Sequence, residues 1–173
     1  MANIYETLLN ADITSATDTN NINTNNNVAK VYDGDTTYKN GVGYRALGID
    51  TPEMSTANKV DTLASAKEKK LDRLKPTAGD LAKLEAELNP LNLLSEGTDV
   101  GTDKYGRVLN QNEGYKNEMI HNGYAVPTFF GDENDISSVE AMNRAKEAKR
   151  GLWADPEYAK EMAGIVDKRI MNG

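Results

Sequence analysis

The sequence from residue 31 to residue 53 reads Val-Tyr-Asp-Gly-Asp-Thr-Thr-Tyr-Lys-Asn-Gly-Val-Gly-Tyr-Arg-Ala-Leu-Gly-Ile-Asp-Thr-Pro-Glu, with carboxylates at the ends of short apolar runs. Residues 33–36 form a turn sequence, because Asp and Gly accept tight backbone geometry, and they follow the apolar stretch 28–32. Lys39-Asn40-Gly41 predicts a hairpin turn, since Asn-Gly readily takes positive φ. We therefore expect about three short strands over residues 28–49, opening a small barrel.

Arg45 lies in the run 42–49, which we expect to be one extended strand. In such a strand its side chain shares a face with Leu47 and Ile49. An unpaired buried guanidinium is costly, so Arg45 needs a partner. The nearby carboxylates that can supply one are Asp35, Asp50 and Glu53.

The ligand chemistry of this stretch favours a hard cation. The chain has no cysteine and a single histidine, whereas oxygen donors are abundant around Arg45. Carboxylate and carbonyl oxygens bind Ca²⁺ or Mg²⁺, and zinc prefers nitrogen and sulfur. The stretch therefore predicts a catalytic metal site. The single histidine, His121, lies in a polar helical turn, and we expect it to be a surface residue outside this site.

Five strings resemble the signature of the staphylococcal nuclease (thermonuclease) family and occur in the family's order. Each alone is weak, but together they are specific. The resemblance covers about residues 28–153. The strings are VYDGDT at 31–36, YRALGIDTPE at 44–53, DKYGR at 103–107, Asn117-Glu118 with Gly123 downstream, and RAKEAKRGLW at 144–153.

This resemblance implies an α+β fold, a five-stranded OB-type β-barrel with flanking helices. It also implies a calcium-dependent nuclease that hydrolyses phosphodiester bonds of DNA, RNA or both and leaves 3′-phosphates. By the same resemblance, Asp35 and Asp50 ligate Ca²⁺ through their side chains, and Thr51 does so through its backbone carbonyl.

The remaining site residues also follow from the resemblance. Glu53 holds or deprotonates the attacking water, while Arg45 and Arg107 bind the phosphate and stabilise its developing charge. Lys104 and Tyr105 resemble residues that contact a terminal phosphate. Phe129 or Phe130 stacks on a base or packs in the core. Asp33 is expected either to support the metal ligands from behind or to shape the loop.

Two other functions remain open on the sequence alone. The first is a non-catalytic nucleic-acid or protein binding module on the same barrel. The second is a structural protein in which the acidic turns bind Ca²⁺ only for stability. Arg45, Glu53 and Arg107 occur together, which favours phosphoryl transfer over both.

Composition limits how the chain can bind nucleic acid. Its 173 residues carry a net charge of −7, with a pI near 4.8, so bulk positive charge cannot supply the binding. Contact with DNA or RNA must be local. No signal peptide or membrane-spanning run is visible, so we expect a soluble protein. We favour the cytoplasm as its compartment and leave a secreted mature form open. We also favour a monomer.

We divide the chain into an N-terminal extension with an Asn/Thr-rich connector (1–27), a nuclease-like domain (28–155) and a C-terminal helical extension (156–173). We expect helices over 1–13 and 56–74, the second being an enlargement beside the site. Later elements are predicted from caps and breakers. These are a helix over 81–91 ending near Pro90, a hairpin between Arg107 and Asn117, a helix over 115–122 ended by Gly123, a helix from a capping box at 137–140 to Gly151, and a last helix begun by Asp155-Pro156.

Overall fold

A computed structural model describes residues 29–54, 76–89, 91–94, 97–128 and 136–172. The helices expected over 1–13 and 56–74, the connector between 14 and 27, and Phe129 and Phe130 lie outside the described residues. The strands are β1 (Lys30–Val31), β2 (Thr36–Lys39), β3 (Val42–Ala46), β4 (Ile49–Asp50), β5 (Thr98–Thr102), β6 (Val108–Gln111) and β7 (Val126–Pro127). The helices are α1 (Ala78–Leu88), α2 (Glu113–His121), α3 (Ile136–Glu147) and α4 (Pro156–Asn172).

Five strands form one mixed sheet in the order β1-β2-β3-β6-β5, which confirms the predicted α+β class and is consistent with an OB-like fold. The pair β3-β6 is parallel and the other three pairs are antiparallel. Asn40 and Gly41 have φ of 53° and 79°, as the predicted hairpin turn requires. Among the described strands no pairing joins β1 to β5, so the sheet is open and does not close into the expected barrel.

The prediction of one strand over 42–49 is wrong. β3 ends at Ala46, the chain turns at Leu47-Gly48, and Ile49–Asp50 pairs with β7 in a second, two-stranded sheet. Ile49 is paired with Pro127, a residue far along the chain. The turn thus takes Asp50 out of the main sheet and pairs it with Val126 in the second sheet.

The predicted hairpin between Arg107 and Asn117 is also wrong, because α2 begins directly after β6. Asn112 caps this helix, and its side-chain oxygen accepts a hydrogen bond from the backbone nitrogen of Tyr115 at 3.0 Å. The helix ends where it was expected, at Asn122 and Gly123, with Met119 and Ile120 fully buried. Polar residues 110–114 therefore belong to a strand end and a helix cap.

The helix bounds elsewhere follow local signals, except that α3 (Ile136–Glu147) neither starts at the predicted capping box nor reaches the predicted end at Gly151. α1 ends at Leu88, before Pro90, and Asp155 caps α4 by accepting from the Glu157 nitrogen at 2.8 Å, both as predicted. The capping box at 137–140 is wrong, because α3 already begins at Ile136 and Ser137 lies inside its first turn. No described helix is long and apolar enough to cross a membrane.

Two hydrophobic clusters hold these elements together. The first lies beneath β3 and α2 and includes Ala46, Tyr115, Met119 and Ile120. The second joins α3 and α4 through Ala145, Leu152, Trp153, Tyr158 and Met162. Trp153 is buried in this second cluster and acts as a packing residue. Helix α4 packs against α3 through this cluster. The division of the chain into three parts at residues 27 and 155 stays a prediction.

Candidate active site

Asp35 directly precedes β2 and accepts more of the described contacts than any other carboxylate of the site. Its Oδ2 accepts hydrogen bonds from the backbone nitrogen of Thr51 at 3.1 Å and from the Thr51 hydroxyl at 3.2 Å. Its Oδ1 accepts from the Thr36 hydroxyl at 3.0 Å. We call residues 33–36 and 49–51 the carboxylate wall, because these contacts tie the two segments together.

Arg45 joins the two ends of this wall. Its guanidinium forms ion pairs with Asp35 and, at 2.5 Å, with Asp50, and its side chain is 17% exposed. Burial acts to lower the pKa of Arg45, but the charges of Asp35 and Asp50 outweigh it and raise the pKa. The arginine therefore has the carboxylate partners that its position in the sequence requires.

Asp33 and Asp35 form a like-charged pair with little solvent around them. Burial, followed by the charge of Asp35, raises the pKa of Asp33 to about 7. The turn between them needs a glycine, since a Cβ on Gly34 would lie 2.7 Å from a Thr51 methyl group. The buried Tyr115 hydroxyl donates to the Gly34 carbonyl at 2.7 Å, and this hydrogen bond ties the turn to α2.

Arg107 lies on the opposite side of the site, at the end of residues 103–107, which we call the arginine turn. Its Nε donates to Asp103 at 2.8 Å, and its backbone nitrogen donates to the same carboxylate at 3.0 Å. Desolvation acts to raise the pKa of Asp103, but hydrogen bonds from Arg107 and Tyr105 together lower it. Arg107 also reaches the Thr36 hydroxyl at 3.4 Å, which connects the turn to the carboxylate wall.

Lys104 and Tyr105 stand at the exposed tip of the arginine turn. Tyr105 is 72% exposed, with the Lys104 ammonium 5.0 Å and the Arg107 guanidinium carbon 5.6 Å from its ring centroid. Such contacts hold cations near an aromatic face. The tip therefore presents one ring and the Lys104 ammonium to solvent, while the partly exposed Arg107 guanidinium is paired with Asp103.

A cleft of about 770 Å³ lies between the carboxylate wall and the arginine turn. Glu53 is exposed at its edge, and its backbone is placed by α1, since a Cβ on Gly79 would lie 2.2 Å from the Glu53 carbonyl oxygen. The expected residues that line this cleft are Asp33, Asp35, Arg45, Asp50, Glu53, Lys104, Tyr105 and Arg107.

The other expected residues lie elsewhere. Thr51 contacts Asp35 and lines an adjoining cleft next to α4. Phe129 lies outside the described residues. His121 is exposed at the end of α2, where its ring contacts the Arg150 guanidinium, as expected of a surface residue.

Sequence reasoning missed Arg169, Tyr115 and the role of Asp103. Arg169, from the last turn of α4, donates from its Nε to Asp50 at 2.8 Å, and it lines the cleft. No local pattern could have found Arg169 or Tyr115, because their partners lie 119 and 81 residues away. Asp103 had a signal, since an Asp that opens a turn commonly accepts from the backbone two residues on.

The donor set fits a hard cation. Asp35 and Asp50 offer carboxylate oxygens beside Thr51, and the space between them already accommodates the positive charge of Arg45. Within the part of the chain that the structure describes, no three carboxylate or imidazole groups converge as metal ligands. Two carboxylates would therefore need backbone carbonyl and water oxygens to complete a coordination shell.

A comparison with protein-family models matches residues 43–155, more than half of the chain, to the staphylococcal nuclease homologue family. The chain belongs to this family. The match contains Arg45, Asp50, Glu53 and the arginine turn, whereas Asp35 lies before its start and α4 lies after its end. No curated protein matches the chain.

Proposed function

We propose that the protein is a calcium-dependent nuclease that hydrolyses phosphodiester bonds of DNA, RNA or both and leaves 3′-phosphates. The observation that carries the proposal is that Arg45, Glu53 and Arg107 line one cleft with Asp35 and Asp50. Membership of a family of nuclease homologues supports the same reaction class. Carboxylates and two guanidinium groups around one space suit phosphoryl transfer.

In this proposal Asp35, Asp50 and the Thr51 carbonyl hold the cation. When bound, Ca²⁺ supplies positive charge to the phosphate oxygens and to the attacking water. Arg45 exchanges its carboxylate partners for phosphate oxygens, because a guanidinium binds both groups through the same paired donors. Arg107 approaches the phosphate from the other side and stabilises the charge that grows on its oxygens.

Glu53 acts on the water. It is exposed at the edge of the cleft, so it can reach a solvent molecule beside the phosphate. It orients this water and accepts its proton as the oxygen attacks phosphorus. The bond from phosphorus to the 5′ oxygen breaks, this oxygen takes a proton from solvent and leaves as the 5′ hydroxyl, and the phosphate stays on the 3′ side.

Lys104 and Tyr105 extend the substrate site. Both are exposed at the tip of the arginine turn, where an ammonium and a phenol hydroxyl can contact a neighbouring phosphate. This gives a local positive region on a chain whose net charge is −7. Binding should therefore depend on a few contacts, with a weaker salt dependence than in a basic nuclease.

The decisive experiment incubates the purified chain with single-stranded DNA, duplex DNA and RNA, each with Ca²⁺, Mg²⁺ or a chelator, and identifies the cleaved ends. Ca²⁺-dependent cleavage should leave 3′-phosphates. We expect Glu53→Gln and Arg107→Ala each to lower the rate by about 10²-fold or more. Glu147→Gln and Arg144→Ala, which change exposed residues of α3, are the matched controls and should cleave normally.

Two outcomes would contradict the proposal. A folded protein that binds Ca²⁺ but cleaves none of the three substrates would favour the binding module. Cleavage that persists in both variants would place the chemistry outside this cleft.

A further inference from the structure

Arg169 brings a third guanidinium into the cleft from outside the family match. It pairs with Asp50 through Nε, at 2.8 Å, and through Nη2, both directed at Oδ2. The contact is only partly open to solvent, with 28% of the Arg169 side chain and 17% of the Asp50 side chain exposed. Two nitrogens of one guanidinium thus donate to one oxygen of a partly buried carboxylate, so the contact is charge-assisted and contains two hydrogen bonds.

Helix α4 is fixed in place independently of this pair. Tyr158 and Met162 are buried in the second hydrophobic cluster, and the Tyr158 hydroxyl donates to the Pro76 carbonyl at 2.5 Å. These anchors lie in the first half of the helix, whereas Arg169 is in its last turn. The docked helix therefore carries Arg169 to the cleft, and loss of the guanidinium should leave the helix anchored.

Both oxygens of Asp50 accept from arginines. Oδ1 accepts from Arg45 and Oδ2 from Arg169. A divalent cation that uses Asp50 must therefore displace one arginine or bind beside its positive charge. Either event costs free energy that a site without Arg169 would not lose.

We propose that Arg169 is a further residue of this site, a positioning residue that holds Asp50 and lowers the affinity of the site for its cation. This inference rests on the proposed function, because it takes Asp50 as a ligand. Arg45 also pairs with Asp50. We do not assign it this role, because in the proposed function Arg45 binds the phosphate. Coupling of this kind is reciprocal, so a bound cation also weakens the Arg169–Asp50 pair and loosens the last turns of α4.

The test measures Ca²⁺ affinity of the full chain by titration calorimetry at fixed salt, in the wild type and three variants. Arg169→Met keeps the aliphatic stem and removes the charge, and Arg169→Lys keeps the charge without the paired donors. Lys160→Met removes an exposed positive charge from the same helix and is the control. Circular dichroism confirms that each variant is folded.

We expect Arg169→Met to bind Ca²⁺ about 5-fold more tightly, a change typical of coupled sites. Arg169→Lys should lie between Arg169→Met and the wild type, and Lys160→Met should match the wild type. Hydrogen exchange gives a second readout. Ca²⁺ should speed the exchange of amides 165–172 in the wild type and leave their exchange unchanged in Arg169→Met.

Different results would overturn different proposals. Ca²⁺ binding that is unchanged or weaker in Arg169→Met overturns the role of Arg169 and leaves the nuclease proposal intact. An equal gain in Lys160→Met also overturns it, because the effect would then be one of net charge alone. A folded wild type that binds no Ca²⁺ overturns the metal site itself, and the role of Arg169 with it.

Discussion

The Asp35 carboxylate on the carboxylate wall is held by groups from residues 36, 45 and 51, whereas the hydrogen bonds described for the Asp103 carboxylate come from residues 105 and 107. The first carboxylate is 4% exposed and the second 16%. The wall is thus assembled by distant segments in a buried place, and the turn by its own residues near solvent. Substitutions in the carboxylate wall should lower both stability and activity. Substitutions in the arginine turn should lower activity with little loss of stability.

The largest effect is expected from Arg45→Met, which leaves the buried Asp35 carboxylate without the Arg45 cation, while Asp50 keeps its pair with Arg169. We expect the free energy of unfolding in chelator to fall by about 3 kcal/mol, since breaking a buried ion pair strands the remaining charge. The rate of cleavage should fall by about 10³-fold. Urea unfolding with and without Ca²⁺, together with kinetics, checks both, and Ca²⁺ should restore part of the stability. An unchanged stability in chelator would mean that the wall does not depend on Arg45.

Arg107→Met should lower activity less than Arg45→Met does, with little loss of stability. Its partner Asp103 can turn to solvent, so we expect the free energy of unfolding to fall by less than about 1 kcal/mol. The rate should fall by about 10²-fold, because one group that stabilises the transition state is lost. The same urea and kinetic measurements apply, with Arg144→Met on α3 as the control. If Arg107→Met lost as much stability as Arg45→Met, the arginine turn would be as important for stability as the carboxylate wall, which would contradict this prediction.

Tyr115→Phe tests whether the wall depends on support from α2. Without the hydroxyl, the buried Gly34 carbonyl loses its donor, so the free energy of unfolding should fall by about 1–2 kcal/mol. Ca²⁺ affinity should fall by about 10-fold, as when a group that orients a metal ligand is removed.

Tyr158→Phe is the matched control for Tyr115→Phe. It removes a hydroxyl that donates to the Pro76 carbonyl, from a tyrosine of the second hydrophobic cluster. Its stability should fall by a similar amount in urea unfolding, while its Ca²⁺ affinity stays at the wild-type value in calorimetry. Equal Ca²⁺ affinities in the two variants would show that the Asp33–Asp35 turn keeps its shape without α2.

The smallest effect is expected from Tyr105→Leu, at the exposed tip of the turn. We expect KM to rise by about 3-fold, since the ring contacts with Lys104 and Arg107 are worth about 0.5–1 kcal/mol at exposed sites. Thermal unfolding should stay at the wild-type temperature, because an exposed side chain contributes little to packing. Tyr38→Leu, which changes a partly exposed tyrosine of β2, should leave KM unchanged. A fall in kcat with an unchanged KM would contradict the assignment of Tyr105 to substrate binding.

The predictions that the structure confirmed depend on signals within a few residues. Asn40-Gly41 forms the hairpin turn, Gly123 follows the end of α2, and Asp155-Pro156 begins α4. In each case the backbone preference of one or two residues sets the local conformation, and no contact with a distant segment is needed. The failed strand over 42–49 is different, because its alternating pattern continues through Gly48 while Ile49 pairs with Pro127 in another sheet.

By itself, the sequence determined the turn chemistry, the oxygen-rich donor set, the resemblance to the nuclease family and the local shape of the arginine turn. These follow from residue types and short spacings, which act within a few residues. The tertiary structure decided that the main sheet stays open among the described strands, that Tyr115 supports the Asp33–Asp35 turn, and that Arg169 reaches Asp50. Contacts across 81 and 119 residues depend on how helices and sheets pack, and no periodicity in the chain records that packing.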